Sequence, residues 1–220
     1  MKKILITGAH SYIGTSVADY LARWPEKYAV DTLSVHGEDW KQADFSKYDA
    51  VFHVAGIAHA DVGHVSEERK TEYYAVNRDL TLAVAEKAKA DGVGQFLYMS
   101  SAIVYGDSAP IGKRKVITKD TPVAPANFYG DSKVQAEKGL KKLESDAFRV
   151  AVLRPPMIYG PGSKGNYPTL SKMARKLPLF PKVDNQRSML YVENLAECVR
   201  LLIEQGIGGI FWPQNREYSN

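Results

Sequence analysis

Short, nearly continuous apolar runs alternate with longer segments of mixed polarity along much of the chain. Such runs predict strands buried on both faces, and we place them at residues 4–7, 29–35, 50–55, 95–100, 149–154 and 209–212. Helical periodicity predicts helices at 15–24, 66–91, 128–144 and 192–205, with only a vestigial helix between the second and third strands. The alternation indicates an α/β fold with a doubly wound parallel sheet.

Composition and charge narrow the range of functions. The 220 residues are 45% hydrophobic and carry a net charge of +4, which is too small to indicate a nucleic-acid partner. Cys198 is the only cysteine, so we expect neither a disulfide framework nor a zinc cluster, and its apolar helical surroundings predict a buried, inert thiol. The apolar stretch after Met1 is too short for a signal sequence or a membrane span, so we expect a cytoplasmic location and no membrane partner.

A glycine-containing turn joins the first strand to the first helix. Gly8 follows the strand and Gly14 lies where the helix opens. Glycines at such a turn let the backbone approach a pyrophosphate, and the helix N-terminus adds N–H donors and a positive potential. The turn therefore predicts a dinucleotide site.

The end of the second strand bears on the choice between NAD and NADP. An acidic residue in this place would hold the adenosine ribose diol of NAD. Alignment by strand length puts Ser34 there, whereas Asp31 is expected to face the wrong way along the strand. His36 can meet a phosphate or be a plain surface residue. The expected cofactor is therefore NAD or NADP, with NAD favoured.

Three residues further along predict proton and hydride chemistry. Tyr129 and Lys133 are four apart and share one helix face, and Ser101 lies 28 residues upstream of the tyrosine. A lysine ammonium beside the phenol would stabilise the phenolate, so that a group with an ordinary pKa of about 10 could exchange protons at neutral pH. Ser101 would polarise a substrate hydroxyl or carbonyl beside it. We predict these three as the catalytic residues of hydride transfer between a sugar-like carbon and a nicotinamide.

The order of the motifs resembles that of extended short-chain dehydrogenases/reductases, in the NAD-dependent epimerase/dehydratase family that acts on nucleotide sugars. The resemblance runs from residue 2 to about residue 213. It is carried by residues 7–14, 44–45, 53–56, 76–77, 100–106, 129 with 133, 153–161 and 187–192.

The resemblance implies a role for each matching residue. With Ser34 and His36 from the strand alignment, the residues expected to contact the cofactor are Gly8, Ser11, Tyr12, Ile13, Gly14, Ser34, His36, Asp44, Phe45, Ala55, Gly56, Asn77, Tyr129, Lys133 and Pro156. Asp44 and Phe45 would lie against the adenine, and Lys133 would bridge the nicotinamide ribose. Ser101 and Arg187 would bind the substrate. The arginine suits a sugar diphosphate, because its guanidinium fork matches the phosphate oxygens.

The same resemblance divides the chain at residue 154. Residues 1–154 would form an NAD(P)-binding Rossmann domain, and residues 155–220 a small, shortened substrate-binding lobe with returning Rossmann elements. Family members usually continue for several dozen residues, so we expect a trimmed form or a short-form member with an open substrate site. A homodimer through the helices at 66–91 and 128–144 is implied by analogy.

Departures from the family pattern limit the choice of reaction. Ser11 replaces the family's middle glycine, which predicts altered cofactor affinity. Met157 weakens an assignment as UDP-galactose 4-epimerase, and Ala102 and Ile103 stand where dehydratases carry an Asp-Glu pair. The predicted function is an epimerase or 4-keto reductase acting on a UDP-linked sugar. The alternative is a truncated or catalytically impaired NAD(P)-binding regulatory or scaffold protein.

The remaining polar residues are predicted to be structural. His53 reads as a satisfied core histidine, and Ser100 as a residue that caps or packs beside its strand end. His59 and His64 lie near Asp61 but lack a third ligand at a suitable spacing, so we expect a mobile polar loop and no metal site.

Overall fold

The computed structural model describes residues 1–58, 65–110, 113–163, 172 and 186–218. The α-helices and strands within these ranges are, in chain order, β1 (Lys2–Thr7), α1 (Tyr12–Leu21), β2 (Tyr28–Leu33), β3 (Ala50–His53), α2 (Glu67–Tyr74), α3 (Thr81–Ala90), β4 (Gln95–Met99), α4 (Phe128–Leu143), β5 (Arg149–Leu153), β6 (Met157–Tyr159), β7 (Met189–Tyr191), α5 (Val192–Gln205) and β8 (Gly209–Phe211).

The main sheet has six parallel strands in the order β2-β1-β3-β4-β5-β8. This confirms the predicted doubly wound α/β fold. The chain runs from β1 outward to β2 and then returns to the other side of β1 as β3. Ligands of open α/β sheets bind at such a switch point, outside the carboxyl ends of the strands. The topology therefore places the candidate site at the ends of β1 and β3.

The chain after residue 154 contributes to both sheets. β6 and β7 form a separate two-stranded parallel sheet, whereas α5 leads back to β8, which pairs with β5 at the edge of the main sheet. The predicted returning elements are therefore present. The division into domains at residue 154 stays a prediction.

Apolar side chains project from both faces of the sheet and form two hydrophobic cores. Along β1, Ile4 and Ile6 pack on one face with residues of α1 and α5, and Leu5 packs on the other with residues of α3 and α4. Each such side chain stabilises the fold by about 1.5–3 kcal/mol relative to an exposed position. Because both faces are covered, the carboxyl end of the sheet is left to form a site.

Two helices differ from their predicted form. α1 begins at Tyr12, three residues early, because the Ser11 hydroxyl caps the helix by accepting from the Gly14 amide at 2.9 Å. The predicted helix at 66–91 is one run made of α2, a π-helical segment (Ala75–Leu80) and α3. The vestigial helix is a single 3₁₀ segment, Asp39–Gln42.

Candidate active site

The turn after β1 packs tightly against the neighbouring strand ends. Gly8 has φ +104°, and a Cβ at this position would lie 2.9 Å from the Ala55 amide nitrogen. Its own amide donates to the Leu33 carbonyl at 3.0 Å. A Cβ on Gly14 would lie 2.7 Å from the Ser11 hydroxyl oxygen. Gly8 is therefore required by the close approach of backbone at the switch point, and Gly14 leaves room for the Ser11 side chain.

The N-terminus of α1 faces this turn with a serine in the capping position. The Ser11 hydroxyl accepts from Gly14, which leaves its hydrogen to donate to a ligand. Tyr12 and Ile13 are the first two residues of the helix, so their amides belong to the group that has no acceptor within the helix. This arrangement suits an anion, and the roles of these residues at the pyrophosphate stay predictions.

The adenosine side of the predicted site lies after β2. Ser34 and His36 are exposed there, and the Ser34 hydroxyl accepts from the His36 amide at 3.4 Å. Asp31 is engaged elsewhere, because its carboxylate accepts from the Tyr48 hydroxyl at 2.7 Å, and this bond is the main cause that lowers its pKa. The structure thus leaves Ser34 and His36 as the exposed groups at the end of β2.

Phe45 and Asp44, the residues predicted to lie against the adenine, differ in exposure. Phe45 is fully buried in the core beneath α3, and its amide donates to the Asp91 carboxylate at 3.0 Å. The neighbouring Asp44 is exposed, and its carboxylate accepts from the Ser46 amide at 2.8 Å. Burial of the aromatic ring leaves Asp44 as the accessible member of the pair.

The structure brings Ser101 and Tyr129 together. Ser101 follows β4 and caps a 3₁₀ segment (Ala102–Tyr105), while Tyr129 lies in the first turn of α4. Burial raises the pKa of Tyr129 to about 12, and the nearby Ser101 hydroxyl opposes that rise. The phenol is therefore protonated at neutral pH and is placed to donate a proton.

The Lys133 ammonium is hydrogen-bonded to backbone in this structure, and its predicted stabilisation of the Tyr129 phenolate stays a prediction. The ammonium donates to the Met99 carbonyl at 2.9 Å, and its nitrogen lies 3.3 Å from where a Cβ on Gly56 would be. Burial lowers the pKa of Lys133 to about 8. The helical spacing fixed which face of α4 carries the lysine, but the direction of its long side chain is set by the nearest carbonyl.

The Asn77 side chain makes several hydrogen bonds within the protein, and its predicted contact with the cofactor stays a prediction. It is fully buried in the π-helical segment; its amide oxygen accepts from the Ile57 amide at 2.9 Å and its amide nitrogen donates to the Ile57 carbonyl at 3.0 Å. The same nitrogen donates to the Ser132 hydroxyl at 3.2 Å. Asn77 therefore fastens the loop after β3, with Ala55 and Gly56, to α4. π-helical turns often occur at functional sites.

Arg187, a predicted substrate contact, and Pro156, a predicted cofactor contact, lie beside the strands of the small sheet. Arg187 is exposed just before β7, and Pro156 is half-buried between β5 and β6. The Tyr159 and Tyr191 rings pack 5.6 Å apart at the ends of the two strands. The structure leaves the guanidinium accessible, and its substrate role stays a prediction.

A buried polar network that sequence reasoning missed lies behind the predicted catalytic residues. Glu137 of α4 and Arg154 after β5 form an ion pair, which also holds Ser100 and Tyr105. One signal was present: Glu137 continues the four-residue spacing of Tyr129 and Lys133, which places all three on one helix face.

His53 is a core histidine, as predicted. Its two ring nitrogens lie 2.7 Å from the Thr7 hydroxyl and 3.1 Å from the Thr81 hydroxyl, and the ring stacks near Phe96. Burial lowers its pKa to about 3. The ring is therefore neutral across the physiological range.

This low pKa predicts a loss of stability in acid. Between about pH 6.5 and pH 3, the unfolded chain binds a proton at His53 that the folded chain does not, so the free energy of unfolding falls as the pH falls. The contribution is up to about 1.4 kcal/mol per pH unit. Urea unfolding of wild type and His53→Gln between pH 4.5 and 6.5 measures it, with the exposed His36→Gln as control. Equal slopes for wild type and His53→Gln would contradict the assignment.

Within the described ranges, no group of three His, Cys, Asp or Glu side chains is suited to hold a metal ion. His59, Asp61 and His64 lie outside those ranges. None of the described helices combines the length and apolar character needed to cross a bilayer.

Comparison with known proteins agrees with this geometry. The family model described as NAD dependent epimerase/dehydratase matches residues 4–211. A Vibrio cholerae UDP-glucose 4-epimerase is 31% identical over 92% of this chain, which spans 67% of that relative's length. The fold matches a Bacillus cereus UDP-glucuronic acid 4-epimerase in complex with NAD, with TM-score 0.78 and 20% identity over 99% of this chain and 78% of the other.

A second solved structure shows the same fold with the other cofactor. It is a Bacillus anthracis dTDP-4-dehydrorhamnose reductase in complex with NADP, with TM-score 0.77 and 21% identity over 100% of this chain and 77% of the other. The cofactor class expected for the fold is therefore NAD or NADP. Because the family model matches nearly the whole length of this chain, the chain belongs to the NAD-dependent epimerase/dehydratase family.

Proposed function

We propose that the chain is an NAD(P)-dependent epimerase or 4-keto reductase acting at C4 of a nucleotide-linked sugar, with a UDP-sugar as the first candidate. The observation that carries the proposal is the arrangement of Ser101, Tyr129 and Lys133 at the carboxyl end of the sheet. The Ser101 hydroxyl lies close enough to the Tyr129 phenol to lower its pKa, and Lys133 lies against Gly56 after β3.

The residues at the switch point fit a dinucleotide. Gly56 is exposed, and a Cβ there would lie 2.9 Å from the Asn77 amide oxygen and 3.3 Å from the Lys133 nitrogen. A side chain at Gly56 would therefore fill the space between the strand end and α4. Gly8, the α1 amides and Gly56 would hold NAD(P), which supplies hydride acceptance and return when bound.

Tyr129 would serve as the proton donor and acceptor at the sugar C4 oxygen. A phenol with a pKa of about 12 is protonated at neutral pH, so the reduction of a 4-keto sugar starts from the protonation state that the structure favours. The oxidative half of an epimerase cycle needs the phenolate instead. Lys133, with a pKa of about 8, is mostly charged at neutral pH and would stabilise that anion by turning from the Met99 carbonyl.

Two further observations support a sugar diphosphate as substrate. The exposed Arg187 offers a fork of donors of the kind that binds phosphate oxygens. The relative from Vibrio cholerae is named for a UDP-sugar.

A homodimer through α2, α3 and α4 is also part of the proposal, and light scattering coupled to size-exclusion chromatography tests it.

The test is direct assay with each cofactor and with sugars of known configuration. The protein is incubated with NAD and UDP-glucose or UDP-N-acetylglucosamine, and the anomeric region of the proton NMR spectrum reports the C4 epimer. For reductase activity, absorbance at 340 nm follows NADH or NADPH oxidation with a UDP-4-keto-6-deoxy sugar. Activity in either assay supports the proposal. Binding of NADH, seen by energy transfer from tryptophan, without turnover of any sugar would replace it with the regulatory alternative.

A further inference from the structure

A buried ion pair joins the helix of the catalytic residues to the strand beside it. The Glu137 carboxylate on α4 accepts from two guanidinium nitrogens of Arg154, and the two side chains are only 9% and 7% exposed. Removing two charges from water costs several kcal/mol for each ion, and well-packed apolar residues often replace such a pair without loss of stability. Stability alone is therefore a weak reason for this pair.

The pair also holds both ends of the segment that contains Ser101. The Ser100 hydroxyl donates to the Glu137 carboxylate, directly before Ser101. At the other end, the Tyr105 hydroxyl accepts from Arg154 at 2.6 Å and from the Trp212 indole at 2.7 Å. These contacts connect the end of β4, the 3₁₀ segment, α4 and the residue after β8.

We propose that the Glu137–Arg154 pair is a positioning device that holds Ser101 against the helix carrying Tyr129 and Lys133. The inference rests on the proposed function, since it concerns the geometry of that reaction. A displacement of about 1 Å at a reacting group can cost on the order of 100-fold in rate. An ion pair with hydrogen bonds at both ends of the Ser101 segment restricts such displacement.

Glu137 also acts on Lys133, one helical turn before it. Its negative charge favours the ammonium and partly opposes the effect of burial, which lowers the pKa of Lys133. Two further titratable groups near the lysine are uncharged at neutral pH: Tyr98, whose ring centre lies 4.9 Å from the ammonium, and His53. The Arg154 guanidinium is charged and is paired with Glu137 itself. Loss of the Glu137 charge should therefore lower the pKa of Lys133 further.

The first test is Glu137→Gln, which keeps the shape and removes the charge. We expect kcat to fall on the order of 10- to 100-fold with the KM for NADH unchanged, and the alkaline limb of the kcat profile to move to lower pH. NMR titration of isotope-labelled lysine side chains measures the Lys133 pKa without any substrate. Glu26→Gln, which changes an exposed carboxylate after α1, is the matched control and should change neither quantity.

A second variant keeps the proposal testable if the Glu137→Gln protein does not fold. Glu137→Gln leaves the Arg154 charge buried without its partner, whereas Glu137→Gln with Arg154→Gln leaves two neutral amides. The proposal expects slowed turnover and a lowered Lys133 pKa in whichever variant folds. A folded variant with wild-type kcat and wild-type Lys133 pKa would overturn it. If the wild type turns over no sugar, the proposed function fails, and the lysine titration still shows whether Glu137 sets the charge of Lys133.

Discussion

Replacing Tyr129 with phenylalanine is expected to lower kcat by about 10²- to 10⁴-fold, the usual contribution of a general acid or base. The substitution removes only the hydroxyl, and the ring keeps its edge-to-face contact with Tyr73 at 6.0 Å between centroids. Because the phenol is the proton donor in the proposed reaction, the chemical step should fail. NADH binding should be unchanged.

Tyr74 provides a matched control on α2. Its hydroxyl donates to the Asp131 carboxylate at 2.8 Å, and its pKa is also raised to about 12, chiefly by burial. Tyr74→Phe removes the same group from a tyrosine of similar pKa and should keep wild-type kcat. Steady-state kinetics and NADH titration of the two variants are compared. A Tyr129→Phe protein with wild-type kcat would show that the phenol is not the proton donor.

Replacing Gly8 with alanine is expected to destabilise the fold by about 2–4 kcal/mol and to abolish NADH binding. The position has φ +104°, which strains any residue with a Cβ, and that Cβ would lie 2.9 Å from the Ala55 amide nitrogen. Backbone cannot move aside as a flexible side chain can. Relief would separate the ends of β1 and β3, where the pyrophosphate is expected.

A Gly37→Ala variant distinguishes the effect of backbone strain from the effect of a steric clash. Gly37 also has a positive φ, +76°, but a Cβ there would meet nothing within 4 Å. Gly37→Ala should therefore cost only the backbone strain, about 1–2 kcal/mol, and should leave NADH affinity unchanged. Urea unfolding gives the two free energies. Equal losses for the two variants would mean that the contact with Ala55 has no influence on stability.

Features that depend on local sequence were predicted well. The main-sheet strands were found because parallel strands buried on both faces are continuous apolar runs, as in Ile4–Ile6. The glycine turn was found because backbone approach at Gly8 leaves no room for a side chain. The start of α1 was missed by three residues, since Ser11 was considered as a phosphate neighbour and not as a helix cap.

Features that depend on contacts between distant segments could not be predicted in this way. The sequence did not indicate that Phe45 and Asn77, both assigned to the cofactor, are fully buried by elements far away in sequence. The spacing of Tyr129 and Lys133 placed them on one helix face, but spacing does not tell whether an ammonium reaches a phenol or the Met99 carbonyl. The partner of Glu137 lies 17 residues away, on a different element.

The π-helical segment Ala75–Leu80 sets the rotation of α2 relative to α3 about their common axis, and this rotation depends on the number of residues in the segment. An α-helix turns by about 100° per residue, so deleting one residue here would restore regular pairing while rotating α2 by that angle relative to α3. Tyr73 would then leave its place beside Tyr129, which a crystal structure of the deletion variant would show. The segment should therefore resist changes in length during evolution, even where its individual side chains are free to vary.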